Sequence, residues 1–149
     1  MDNKKEKKIA NTPLKLPKEQ VDLVMDLYAT GKINETIDAI KALNEDYPNV
    51  PLLFNLLGAC YNQLGQFAAA AQFFESAFTI KPDYAEAYMN HGTALSESGE
   101  LNLAVKSFKK AIDLLPNYSE AHNKLGVTYL NLNQYDDAIE HLEWAVAYK

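Results

Sequence analysis

The side chains with chemical reach are few. His91, His122 and His141 are the histidines, Cys60 is the single cysteine, and Asp136-Asp137 is a prominent pair of adjacent carboxylates. Imidazoles and thiolates act as metal ligands, bases or nucleophiles only where they converge on one point. His91 and His122 instead occupy inward packing positions on successive helices, so a structural role is expected for them and no metal site. Cys60 sits among small and apolar residues, which favours a buried, inert thiol over a nucleophile. No serine, cysteine or threonine stands in a nucleophile motif, and no glycine-rich phosphate loop occurs. Asp136 and Asp137 open a helix, where the positive end of its dipole stabilises them. No catalytic residue, metal or cofactor is therefore expected.

Amides are the other candidates. Asn55, Asn62, Asn90, Asn123 and Asn131 each carry a donor and an acceptor and can bond the backbone of an extended peptide. One such bond contributes only about 0.5–1.5 kcal/mol net, so several must act together. All fourteen basic residues are lysine, which removes the bidentate guanidinium recognition of phosphate or carboxylate. The formal charge of -6 is unevenly placed, with +4 in the first eighteen residues and -10 in the remainder. An acidic body argues against nucleic-acid binding, which needs several cations to displace counterions. No apolar run approaches the roughly 20 residues of a membrane span, and the first twenty residues lack a secretory pattern. No nucleic acid and no membrane is expected as a partner, and a cytoplasmic location is.

The elements that must hold these side chains announce themselves by a period. Every glycine falls on one of two ladders with a step of 34 residues: Gly31, Gly65 and Gly99, and Gly58, Gly92 and Gly126. Pro48, Pro82 and Pro116 keep the same step. Within one unit Phe54, Leu57, Gly58 and Tyr61 recur at i, i+3, i+4 and i+7, the stripe of a first helix; Gly65 breaks it. Phe67, Ala70, Ala71, Phe74, Ala77 and Phe78 form the stripe of a second helix, which Lys81-Pro82 ends. The next unit repeats this as Tyr88, Gly92, Leu95, Leu101, Ala104, Phe108 and Ala111, and the last as His122, Leu125, Gly126, Tyr129, Tyr135, Ala138, Leu142 and Ala145.

These residues resemble the tetratricopeptide repeat family, with its aromatic, Leu-Gly and Tyr in a first helix and its Ala, aromatic, Ala and Pro in and after a second. The resemblance covers Pro17 to Lys149. It implies an all-α fold, an α-solenoid of about four stacked antiparallel helix pairs forming a right-handed superhelix, with the first helices on its concave side. The units are expected at 17–50, 51–84, 85–118 and 119–149, the last incomplete, after a basic disordered tail at 1–16. Gln20, Val24, Thr36 and Leu43 depart from the pattern in the first unit, which reads as a cap with a looser helix pair and a first helix from about Pro17 to Thr30.

The implied function is a non-catalytic scaffold that binds a protein or peptide segment, neutral or basic, in the concave groove. Asn55, Asn62, Met89, Asn90, Asn123 and Asn131 are the expected contacts, beside Asp22, Glu86, Glu97, Glu120 and Lys124. The asparagine ladder looks like the one lining the superhelix of the O-linked N-acetylglucosamine transferase, although thirteen asparagines without an arginine also fit an AT-rich coding bias. A second reading makes the repeats the recruiting arm of a larger glycosyltransferase-like or sulfotransferase-like enzyme, cut at a repeat boundary. A third is a homo-oligomer. Trp144 aligns with Ala42, Ser76 and Lys110, and Trp144, Val146 and Tyr148 are expected to form an exposed face for self-association.

Overall fold

The computed structural model describes residues 15–149. The segment expected as a tail lies outside the described residues up to residue 14; Leu16 is already half-buried against the first core cluster. Eight helices follow among the described residues: α1 Lys18–Ala29, α2 Ile33–Asp46, α3 Pro51–Gln63, α4 Phe67–Ile80, α5 Ala85–Glu97, α6 Leu101–Leu114, α7 Ser119–Asn131 and α8 Tyr135–Ala147. Each odd helix packs on the even helix after it, each even helix packs on the next odd one, and α3, α5 and α7 also touch in succession. The result is an α-solenoid of four helix pairs. None of these helices is long and apolar enough to cross a membrane.

Two backbone requirements produce the period. After each first helix the chain turns through a left-handed residue, and the following N–H reaches back five residues: Lys32 to Leu27, Gln66 to Tyr61, Glu100 to Leu95 and Gln134 to Tyr129, at 2.8–3.0 Å. Gly31, Gly65 and Gly99 supply the left-handed residue at φ of 75°, 72° and 87°. The fourth unit uses Asn133 at φ 60°, the non-glycine residue type that tolerates this region best, and its Oδ1 accepts a bond from the Tyr135 hydroxyl at 3.0 Å.

The second ladder makes room for side chains. A Cβ on Gly58 would lie 2.5 Å from the Phe74 ring, one on Gly92 2.8 Å from the Phe108 ring, and one on Gly126 2.6 Å from Leu142. Phe74 and Phe108 are fully buried there. In the first unit the exchange runs the other way: Val24 takes the glycine position and Ile40 the phenylalanine position, and both are wholly buried. The Val-Ile pair fills the crossing without a ring, and α1 and α2 approach each other over a visibly smaller stretch than the other three pairs. The expected looser cap is thus a redistribution of volume between facing helices.

Candidate functional site

The first helices are tied together by polar rungs. Gln63 Nε2 donates to the Tyr28 hydroxyl at 2.8 Å, between α3 and α1. Asn55 Nδ2 donates to Glu86 Oε1 at 3.2 Å, and Asn55 Oδ1 accepts from Asn90 Nδ2 at 3.1 Å, between α3 and α5. Asn55 is only 3% exposed, so both halves of its amide are committed inside the protein. Glu86 was legible as its partner in principle, because it lies one helical turn before Met89, the residue that repeats the position of Asn55.

The six expected groove contacts therefore separate. Asn55 and Met89, at 3% and 5% exposure, belong to the seam between helices and the core, which corrects their placement on an open surface. Asn62 and Asn90 are half-buried, Asn90 with its amide turned into the rung and Asn62 with a buried Oδ1 that has no partner. Asn123 and Asn131 are exposed. Together with Thr93, Ser96, Glu97, Lys124 and Val127 they line a depression of about 370 Å³ between α5 and α7, floored by Phe108 and Thr128. Amide, hydroxyl and ionic groups of the first helices α5 and α7 converge here, the amides of Asn123 and Asn131 and the carboxylate of Glu97 exposed and Thr93, Ser96 and Lys124 half-buried.

The histidines are enclosed within the packing, and His91 Nε2 is buried without a hydrogen-bond partner. His91 Nδ1 is 2.7 Å from Ser107 Oγ, and its Nε2 lies 3.3 Å from Glu75 Oε1. A leucine-type position accepts an imidazole here because the two neighbouring second helices supply a hydroxyl and a carboxylate. His122 Nε2 donates to the Pro116 carbonyl at 3.0 Å, and its Nδ1 lies 3.0 Å from the Nδ1 of His141. The face of His122 is covered by Trp144, stacked at 3.8 Å between centroids, and Trp144 stacks in turn on Tyr148 at 4.0 Å. The residues expected to associate thus do not share one face. Trp144 and Tyr148 are one turn apart and stack together, whereas Val146 lies about 200° around α8 from Trp144 and is 70% exposed.

Burial, opposed by Glu75, holds the His91 pKa below its ordinary value. Burial and then the neighbouring His122 lower that of His141, with Lys109 acting in the same direction and Glu140 and Asp137 against it. A histidine depressed in the folded state binds fewer protons than in the unfolded chain. Stability is therefore fully present above the ordinary histidine range and falls as pH drops through about 6.5. Melting temperatures from pH 7.5 to 5.5 are expected to decline, with a shallower decline for His141→Gln. An unchanged slope in that variant would remove His141 from the account. Burial likewise raises the Cys60 thiol to about 11, in keeping with an inert side chain. Among the described residues no three His, Cys, Asp or Glu side chains group as metal ligands.

Sequence profiles described as tetratricopeptide repeat match residues 21–87 and 119–149, and one described as TPR repeat matches residues 92–133. The chain belongs to the tetratricopeptide repeat family. Its helix pairs are similar to those of solved tetratricopeptide proteins. A crystal structure of MamA superposes with a TM-score of 0.81 at 21% identity, over 87% of this chain and 75% of that one. MamA from Desulfovibrio magneticus RS-1, from residue 41 to its end, gives 0.80 at 21% identity, over 89% and 75%. The first TPR of Spaghetti (RPAP3), bound to the HSP90 peptide SRMEEVD, gives 0.74 at 26% identity, over 77% and 91%. The MamA likeness is one of fold. On a tetratricopeptide array, the Gly-Phe crossings and left-handed turns described above fix how the two helices of one repeat pack on each other.

Proposed function

We propose that this protein is a non-catalytic scaffold that holds an extended segment of another protein, neutral or basic, over the depression between α5 and α7. The observation that carries the reading is the convergence of exposed Asn123 and Asn131 with Thr93, Ser96, Glu97 and Lys124 on the concave side of a protein-interaction fold. Asparagine amides there offer a peptide backbone a donor and an acceptor, and Val127, 45% exposed, offers an apolar contact.

Charge sets the class of segment. Exposed Glu86, Glu97 and Glu120 stand on α5 and α7 against the single cation Lys124. The RPAP3 structure holds a peptide with two glutamates and an aspartate; a segment of that sign meets like charge in this groove. The test is selection from a displayed peptide library, followed by titration of the selected peptides. Asn123→Ala with Asn131→Ala is expected to weaken them by about 5–150-fold, the equivalent of two hydrogen bonds of 0.5–1.5 kcal/mol. The peptide SRMEEVD is expected not to bind. Unchanged affinity in the double variant, or tight binding of that acidic peptide, would sink the groove reading.

A further inference from the structure

The second helices α4 and α6 both pack on α5, and between them lies a cleft of about 410 Å³. It shares no lining residue with the depression between α5 and α7. Ala71 and Glu75 of α4, His91 and Leu95 of α5, Glu100 just before α6 and Leu103 within it shape the cleft.

The equivalent positions one repeat earlier and one repeat later hold a single set of residue types. They are Lys41, Leu57, Tyr61 and Gln66 in the earlier step, and Lys109, Leu125, Tyr129 and Gln134 in the later one. In the later step the ammonium of Lys109 lies over the Tyr129 ring, 5.9 Å from its centroid, so the chain fills the place with its own cation and its own ring. In the middle step the four residues are Glu75, His91, Leu95 and Glu100. The lysine has become a carboxylate, the neutral amide a second carboxylate, and the tyrosine a smaller leucine. Cation and ring are both withdrawn, and negative charge stands in their place. Lys106, which also lines the cleft, offsets only one of the two carboxylates.

His91 is a second, independent sign of an outside ligand. It is 8% exposed, and its Nδ1 is engaged by Ser107 Oγ at 2.7 Å, yet its Nε2 is buried with no hydrogen-bond partner. A leucine, as at positions 57 and 125, would leave no such idle nitrogen. The group standing over Nε2 is the Glu75 carboxylate, 3.3 Å away, on a side chain that is 58% exposed. Among the described residues these carboxylates and the imidazole do not group as metal ligands, which leaves an organic cation as the occupant.

We propose that the cleft between α4 and α6 is a binding site for a lysine side chain of another protein. The ammonium lies between Glu75 and Glu100 and, as the exposed Glu75 side chain turns to meet it, donates to His91 Nε2; the Nδ1–H of that tautomer donates to Ser107 Oγ. The butyl stem runs along Ala71, Leu95 and Leu103, the last 46% exposed. Lysine is favoured over arginine because an ammonium is what the chain itself carries at both flanking steps.

The probe is a displayed library of random peptides, selected on the full chain and depleted on the Glu75→Lys protein, which carries the residue type of the flanking steps. The surviving peptides are expected to share a lysine. In anisotropy titrations, norleucine in place of that lysine, or Glu75→Lys in the protein, should each weaken binding by about tenfold or more. Glu100→Gln should weaken it by about two- to fivefold. Lys106→Ala should leave affinity unchanged or raise it, and Asn123→Ala with Asn131→Ala should not alter it. Circular dichroism melts establish that the variants are folded. The proposal is overturned if no peptide survives the depletion, if survivors bind equally well with norleucine, or if Lys106→Ala weakens them, which would mark an acidic ligand. Loss of binding in the Asn123→Ala, Asn131→Ala protein would move the lysine to the groove and equally overturn it.

Discussion

Phe108→Ala is expected to destabilise the protein by about 3–5 kcal/mol, the range for removing a fully enclosed ring whose site cannot collapse. Phe108 is fully buried against Gly92 in the core cluster that joins Met89, Leu95, Ala104, Ala111, Ala121 and Leu125, and that cluster spans α5, α6 and α7. In a solenoid, stability is the sum of repeat and interface contributions, and this ring contributes to both. Urea unfolding followed by circular dichroism measures the loss. The same data should show the single transition broadening or splitting, because the first two helix pairs keep their own cluster around Val24, Ile40, Leu53 and Cys60. A loss below about 1 kcal/mol would mean that the ring is not filling the α5–α6 crossing.

Gly92→Val is the second large effect, and its origin is a clash where that of Phe108→Ala is a cavity. A Cβ at Gly92 would stand 2.8 Å from both Cδ1 and Cε1 of Phe108, and the enclosed ring has nowhere to move. Alanine at the same position gains about 1 kcal/mol of helix propensity but meets an overpacking cost of about 1–3 kcal/mol or more. Gly92→Ala should therefore be neutral to destabilising, and Gly92→Val clearly destabilising. The decisive comparison is the double variant. With Phe108→Ala already present the clash is gone, and Gly92→Ala should then stabilise by up to about 1 kcal/mol. Strict additivity of the two substitutions would show that residue 92 and residue 108 do not share that space.

Much of the fold was legible along the chain. The expected first helix, Pro17 to Thr30, is Lys18–Ala29 in the structure, with Pro17 standing just before the helix. The turn glycines and the trailing prolines act on their own backbone, so residue type alone places helix ends. The Gly58 and Gly92 positions were also readable as close crossings, although the space is taken by a phenylalanine ring and not by an approaching backbone.

The candidate site was legible only in part. Asn55 and Asn123 hold the same repeat position, yet Asn55 is buried and Asn123 is exposed. The difference comes from Glu86 and Asn90 on the following first helix, which cover and bond Asn55. Trp144 shows the same limit. Its alignment with Ala42, Ser76 and Lys110 read as partial exposure, and the indole is half-buried; its stacking on His122 across the helix pair is what the alignment did not show.

The sequence by itself determined the helices, their boundaries, the period and which residues make room at each crossing, because these follow from steric demands local to one residue or one turn. The tertiary structure alone decided which polar and aromatic groups are spent inside the protein and which face outward. The rungs and the imidazole contacts join residues 16 to 35 apart in the chain, and only the packing of one helix on another, within a pair or between pairs, brings them within bonding distance.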